Sequence, residues 1–288
     1  MLSIIALIVR ILSNPCSNLF QKKIGTSGAN SLWISFFSYF ILSVFSLFFV
    51  NSTNWQSFNL DFWTIVICAG IVGAFGNWFL VEAIKCGELS ILGPINTYKS
   101  IVSILFALVL LKELPNFTQF FGIIFIIIGS YFIFDAIGEK FTPKIFLRRD
   151  IRYRIFALIL TALEAVFIKK IVLIAGVSTA FILWCTSSAL FSFLILLFLK
   201  TDFKKELSLV NKNNLKFYLS LACTLFLMQI SSNIVFEKIN VSCALALFQL
   251  SSLISVIFGW KYFGEKQIKK KIFGTIIMIF GSIIIILS

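Results

Sequence analysis

The chain has 288 residues, 59% of them hydrophobic and only 13% charged, with a mean hydropathy of +1.01. Soluble domains run about 45–50% apolar and about 25% charged; so few polar groups cannot clothe a globule in water, and lipid is the expected solvent. The net charge of +13 does not point to nucleic acid, because the basic residues collect between apolar runs, as topology signals do, and form no groove interleaved with aromatics.

A helix needs about 20 apolar residues to cross a hydrocarbon core of roughly 30 Å. Ten such runs follow one another, at 2–22, 31–50, 62–84, 90–111, 116–136, 152–175, 178–199, 214–236, 241–263 and 268–287. The first carries Arg10, Ser13, Asn14, Ser17 and Gln21 on one side, with Pro15 as a kink. It lacks a basic leader and holds Arg10 within it, so it reads as a retained helix rather than a cleaved signal. In the third run Ala69, Gly73, Gly76 and Asn77 share a face where small residues let helices approach. Glu82 and Lys85 at its end are spaced to pair with each other. The fourth sets Asn96, Lys99 and Ser103 on one face, with Tyr98 beside it. The sixth carries Glu164, the eighth Gln229, Ser232, Asn233 and Glu237, and the ninth Gln249 and Ser252. Trp78 and Trp184 lie away from run ends; lipid-facing bulk is the expected role, with a cavity wall as the alternative. The longest break, about 137–151, divides the runs into two sets of five, with units expected at 1–137 and 148–288 and a linker at 138–147.

The two halves resemble each other. Ser90 and Ser242, Ser100 and Ser252, Ser103 and Ser255, Glu113 and Glu265, Gly122 and Gly274, and Gly129 and Gly281 all lie 152 positions apart, without a gap. An odd number of spans per copy turns the second upside down, which predicts an all-α integral membrane fold of ten transmembrane helices in two inverted five-helix repeats. That architecture lets a carrier alternate between two faces around a site near the midplane. The connections between runs 1–2, 3–4, 5–6, 7–8 and 9–10 hold most of the 25 Lys and Arg, which places them in the cytoplasm and both termini outside.

The segments LLKELPNFTQFFGIIFIIIG and YFGEKQIKKKIFGTIIMIFG resemble the end of the EamA repeat, in which a Gly-Glu step closes the fourth helix and two glycines spaced by seven mark the fifth. The chain is therefore similar to the EamA family of the drug/metabolite transporter superfamily. Lys112 stands where the pattern usually has glycine, and Ala246 where the first copy has Pro94. The resemblance implies a multi-pass protein of the cytoplasmic (inner) membrane that moves small metabolites, amino acids or drugs without a nucleotide-hydrolysing partner. It also implies termini in the cytoplasm, against the charge count.

Lys99 sits roughly 15 Å from either end of its run at 1.5 Å per residue, and Glu164 at similar depth. An ionised group there costs about 2.5–3.5 kcal/mol even on the gentlest insertion scale. Neither is matched in the other copy: Lys99 aligns with Ser251 and Glu164 with about Ser17. Lys99 would meet an anionic substrate group or hold Glu164 ionised, and Glu164 would carry a coupling proton; a structural ion pair between the two is the alternative. The set suits an amino-acid-like zwitterion. Arg10, Asn14, Asn77, Asn96, Tyr98, Ser103, Gln229, Asn233 and Gln249 complete the expected substrate-binding or coupling set, because several helices presenting polar stripes together favour a cavity over single packing bonds.

No enzyme, cofactor or metal site is expected. The sequence has no histidine and no GxxxxGK[ST] or HExxH, and its six cysteines form no CxxC pair. The expected partners are a small-molecule substrate, the bilayer, and a proton or sodium ion for coupling. Two rival readings are an enzyme acting on lipid-linked substrates, which would need polar clusters in surface loops, and a membrane scaffold, which would need no mid-helix charges.

Overall fold

The computed structural model describes residues 2–52, 55, 58–106, 116–139 and 142–287. Among them the chain is helical and no strand forms. In lipid a backbone must satisfy its own polar groups, which a helix does locally. The helices are α1 (Leu2–Thr26), α2 (Ser31–Ser46), α3 (Leu60–Cys86), α4 (Leu89–Ile95), α5 (Tyr98–Phe106), α6 (Phe117–Asp135), α7 (Arg149–Phe198), α8 (Phe203–Ser208), α9 (Lys212–Lys238), α10 (Val241–Phe248), α11 (Ser251–Phe263) and α12 (Ile268–Leu287). Among the described residues, seven stretches are long and apolar enough to cross a membrane by length and composition. Asparagine side chains start several helices by accepting from first-turn N–H groups, as Asn30 does for α2, Asn59 for α3 and Asn116, in a capping box with Gln119, for α6.

Four of the expected runs take a different form. Runs 152–175 and 178–199 are the two limbs of α7, which turns at Gly176 with φ 82° and ψ 170°, a conformation that side-chain-bearing residues avoid. The fourth and ninth runs are each broken in two, between Ile95 and Tyr98 and between Phe248 and Ser251. The breaks occupy corresponding positions of the two copies, and both are tight turns. Asn96, Thr97 and Lys99 N–H bond three residues back, and so do Gln249, Leu250 and Ser252. Pro94, in the last turn of α4, lacks an N–H donor and stands just before the first break. The second contains no proline; its Gln249 accepts from Asn96 Nδ2 at 2.9 Å, so the two breaks hold each other across the repeat boundary.

The packing of the last helix of each copy is reciprocal. A methyl added at Gly122 would meet the Gly281 carbonyl, and one at Gly281 the Gly122 carbonyl; Gly129 and Gly274 stand in the same reciprocal relation. Helices α6 and α12 therefore run antiparallel in backbone contact. Because Gly122 corresponds to Gly274 and Gly129 to Gly281, the contact maps onto itself when the copies are exchanged, as a twofold axis requires. Helix α1 packs along α9 and α3 along α7, which is again one contact and its counterpart. Polar caps repeat as well. Lys22 Nζ donates to the Gly87 carbonyl just past α3, and Lys169 Nζ to the carbonyls of Phe236 and Ile239 at the end of α9. Gly87 and Ile239 lie 152 positions apart, and Lys22 and Lys169 share the 147-residue offset that relates Ser17 to Glu164.

Leucine at Gly274 is expected to drive α6 and α12 apart at a cost of about 1–3 kcal/mol or more, and so to lower the melting temperature in detergent. Ile127→Leu, at a side chain 44% exposed on the surface of α6, is the control and should leave melting unchanged.

Candidate functional site

A polar cavity of ≈ 120 Å³ lies where α1, α2, α3, the α4–α5 break, both limbs of α7, α9 and α10 converge. Its wall takes one helical stripe from α1, Arg10, Asn14, Ser17 and Gln21, together with Asn18; Asn77 from α3; and Gln229 and Ser232 from α9. Lys99 enters from the first turn of α5 and Glu164 from the first limb of α7. Lys99, 8% exposed, and Asn77 and Gln229, 7% each, are shut away from bulk solvent. Glu164 accepts from Trp184 Nε1 at 2.8 Å. The Trp184 ring stands edge-on to Tyr39, centroids 4.9 Å apart. Trp184 is thus a buried cavity wall and not the lipid-facing bulk expected, whereas half-buried Trp78 packs with Phe75 and Phe79.

Of the polar residues singled out by sequence, Arg10, Asn14, Asn77, Asn96, Lys99, Glu164 and Gln229 line the cavity. Asn233 and Gln249 stand one layer behind. Asn233 accepts from Gln229 at 2.9 Å and donates to the Val177 carbonyl, while Gln249 anchors Asn96. Tyr98 turns elsewhere: its hydroxyl bonds Ser130 of α6 at 2.8 Å and its ring meets Phe146. It misses the cavity because it precedes Lys99 by one residue, about 100° around the helix. The Ser103 side chain, Lys112 and Glu113 lie outside the described residues. Glu82 and Lys85 do not pair with each other. Glu82 meets Arg149 at 2.7 Å and Ser31 Oγ at 2.6 Å, and Lys85 donates to the Ala29 carbonyl. Residues brought in from neighbouring connections outcompete the neighbour on the same helix.

The residue that sequence reading passed over is Arg154, which lines the cavity and is 7% exposed. It stands just past Arg148, Arg149 and Arg152 and so merges with a basic connection. Its spacing was the available signal, since Arg154, Thr161, Glu164 and Ile168 fall on one helical face and all line the cavity. Locally it caps a defect of the break. Asn96 N–H bonds the Gly93 carbonyl instead of Leu92, and Arg154 Nε donates to the Leu92 carbonyl at 2.9 Å. Arg10 gives Nε to Ser232 at 2.7 Å and lies over the Phe248 ring, 4.6 Å from its centroid. Its Nη1, Gln21 Oε1 and Asn77 Nδ2 are buried polar atoms without a protein partner among the described residues. Such atoms at a cavity call for water or a ligand. Gly73 abuts the Glu164 carboxylate so closely that any side chain there would displace it. The small-residue face of α3 is therefore both a packing surface and the space that admits Glu164.

Next to Gln21, the last cavity residue of α1, a lattice of charges joins the end of α1 to the start of α4 and to the α11–α12 connection. Lys22 and Glu265 meet at 3.0 Å, and Glu265 also accepts from the Leu89 and Ser90 N–H groups at 2.9 and 2.8 Å, capping α4 of the other repeat. Lys271 bonds Glu88 at 2.5 Å and Ser90 Oγ at 2.8 Å. Burial alone would raise the Glu265 carboxyl. The Lys22 charge and the hydrogen bonds from Ser90 overcome that and hold it below the ordinary carboxylate value. Glu265 thus does more than close its own turn: it ties the second repeat to the start of α4.

The sequence profile described as the EamA-like transporter family matches residues 2–135 and, a second time, 152–287. No curated protein matches the sequence. A solved structure titled only "Crystal structure of protein" is similar across 98% of this chain and 95% of its own, with a TM-score of 0.65 at 11% identity. That likeness is one of fold.

Proposed function

Because the chain belongs to the EamA-like transporter family, a family of multi-pass membrane proteins, we propose that it is a secondary transporter working by alternating access. In this reading ten spans form two inverted repeats, 1–137 and 148–288, joined by 138–147, in the cytoplasmic membrane. The broken α4–α5 and α10–α11 each count as one span, and α7 counts as two. A small polar metabolite occupies the cavity, and the two repeats rock about it. The observation that carries the reading is the position of the cavity: a buried polar chamber bordered by helix breaks at matching places in the two copies. The Lys22–Glu265 lattice is the closed gate of one face, and Glu164 carries the coupling proton. A zwitterion matched to Lys99 and Glu164 leaves Arg154, which also lines the cavity, without a counter-charge.

Purified protein in proteoliposomes should accelerate counterflow of at least one small polar solute over empty vesicles. Gly73→Leu, which thrusts a side chain onto Glu164, should reduce that rate by more than about tenfold, the equivalent of 1.4 kcal/mol. Rates equal to those of empty vesicles across anionic, zwitterionic, cationic and neutral solutes would remove the carrier function. Full activity of Gly73→Leu would move the pathway away from this cavity.

A further inference from the structure

Resting on the transport reading, the substrate class follows from the charge set of the cavity. We infer that the substrate is a small organic dianion, a dicarboxylate or a phosphate monoester, held between Arg10, Lys99 and Arg154. Among the described residues these three cations line the cavity, against the single carboxylate of Glu164. One lysine and one glutamate would balance each other; two further guanidiniums leave the cavity lining with a formal excess of two positive charges. Like charges sharing a desolvated space repel strongly unless a counter-charge joins them. An organic dianion supplies that counter-charge, a zwitterion leaves the excess in place, and a cation adds to it.

The geometry favours recognition by side chains. At a fully unwound break, free N–H groups of the following half-helix would greet an anion. Here the Lys99 and Ser100 N–H groups are already bonded to the Asn96 and Thr97 carbonyls, so the anion falls to the charged side chains. A guanidinium matches the paired oxygens of carboxylate and phosphate alike, and Arg10 keeps Nη1 buried at the cavity without a partner among the described residues. Asn77 Nδ2, from α3, is a further buried donor without a partner among the described residues.

The test uses the full chain in phosphatidylcholine vesicles and in detergent, with succinate, glycerol phosphate, inorganic phosphate, alanine and choline as probes. Succinate or glycerol phosphate should raise the melting temperature and drive counterflow at concentrations where alanine and choline do neither. The half-saturating concentration should rise at least tenfold in Lys99→Gln and in Arg154→Gln, rise less in Arg154→Lys, which keeps the charge but not the fork, and not rise in Glu164→Gln. If Arg154→Gln fails to fold for want of its bond to Leu92, Lys99→Gln and Arg10→Gln give the same reading. The inference falls if alanine or choline is preferred, if inorganic phosphate alone acts, or if removing the cations leaves half-saturation unmoved. Counterflow of a neutral, zwitterionic or cationic solute alone would overturn the dianion and keep the transporter. Dianion binding without passage of any solute would do the reverse, and neither binding nor passage would overturn both.

Discussion

Glu164→Gln is expected to lower substrate accumulation driven by a pH gradient by more than about tenfold, while one-for-one exchange of substrate across the vesicle continues near the wild-type rate. Glu164 is, among the described residues, the one carboxyl side chain lining the cavity. It shares the cavity with Arg10 from α1, Tyr39 from α2, Lys99 from α5 and Arg154 from its own helix, and it accepts from Trp184 on the second limb of α7. A proton on Glu164 removes the negative charge that offsets these cations and so favours an anion in the cavity; by linkage the anion favours the proton to the same degree. Proton and substrate then travel together. Glutamine keeps the shape and still offers Trp184 an acceptor, but it is fixed in the neutral state, so loaded protein can still cross while the protonation cycle is lost. Accumulation in vesicles with an imposed pH gradient, set beside exchange without one, separates the two. Undiminished accumulation would show that the proton is carried elsewhere. Loss of both with melting unchanged would make Glu164 a substrate contact and not a coupling group.

The sequence carried the architecture because the physics of a bilayer is coarse. Apolar length decides where helices lie, and a duplication repeats the pattern in the second half. The glycines at 122, 129, 274 and 281 were legible in the same way, since their spacing is preserved across both copies and only backbone contact requires it. The breaks were half legible: Pro94 marks the first, but the second depends on Gln249 meeting Asn96 from the other repeat, a contact that no local pattern announces. The cavity was legible as stripes on α1 and α9 and as two buried charges. Arg154 was not, because position along a helix is a poor guide to depth when the helix starts beside a basic connection. Tyr98 was included because neighbours in sequence look like neighbours in space, and the helical turn sends it to Ser130 instead. For Trp184 the position away from run ends leaves a cavity wall only as the alternative to lipid-facing bulk, because it cannot show that an indole N–H has a carboxylate to meet.

The largest structural effect is expected at Glu265. Glu265→Ala strips the acceptor from Leu89 and Ser90 N–H and leaves Lys22, whose side chain is 12% exposed, without its carboxylate. Removing one partner of a buried pair costs about 3–5 kcal/mol because the other charge stays behind. Melting in detergent should fall markedly, and a cysteine placed at Gln21 in a chain freed of its six native cysteines should become reactive to an impermeant maleimide from one face only. Gly259→Ala should act in the same direction without removing any charge, since the new methyl would fall on the Glu265 carboxylate. The pH dependence has a definite sign. A carboxyl held below its ordinary value stabilises the closed face fully at neutral pH, and it releases that face only as the pH drops through the depressed value. Acidification that stays above the ordinary carboxylate range should therefore leave labelling low, and opening within that milder range would mean that another group holds the gate. The duplication adds a counterpart that sequence alone identifies. Glu113 occupies the equivalent position in the first copy, and Lys169 repeats the cap made by Lys22. Glu113→Ala should then bias labelling toward the opposite face; labelling from the same side as Glu265→Ala would mean that the two copies do not gate in alternation.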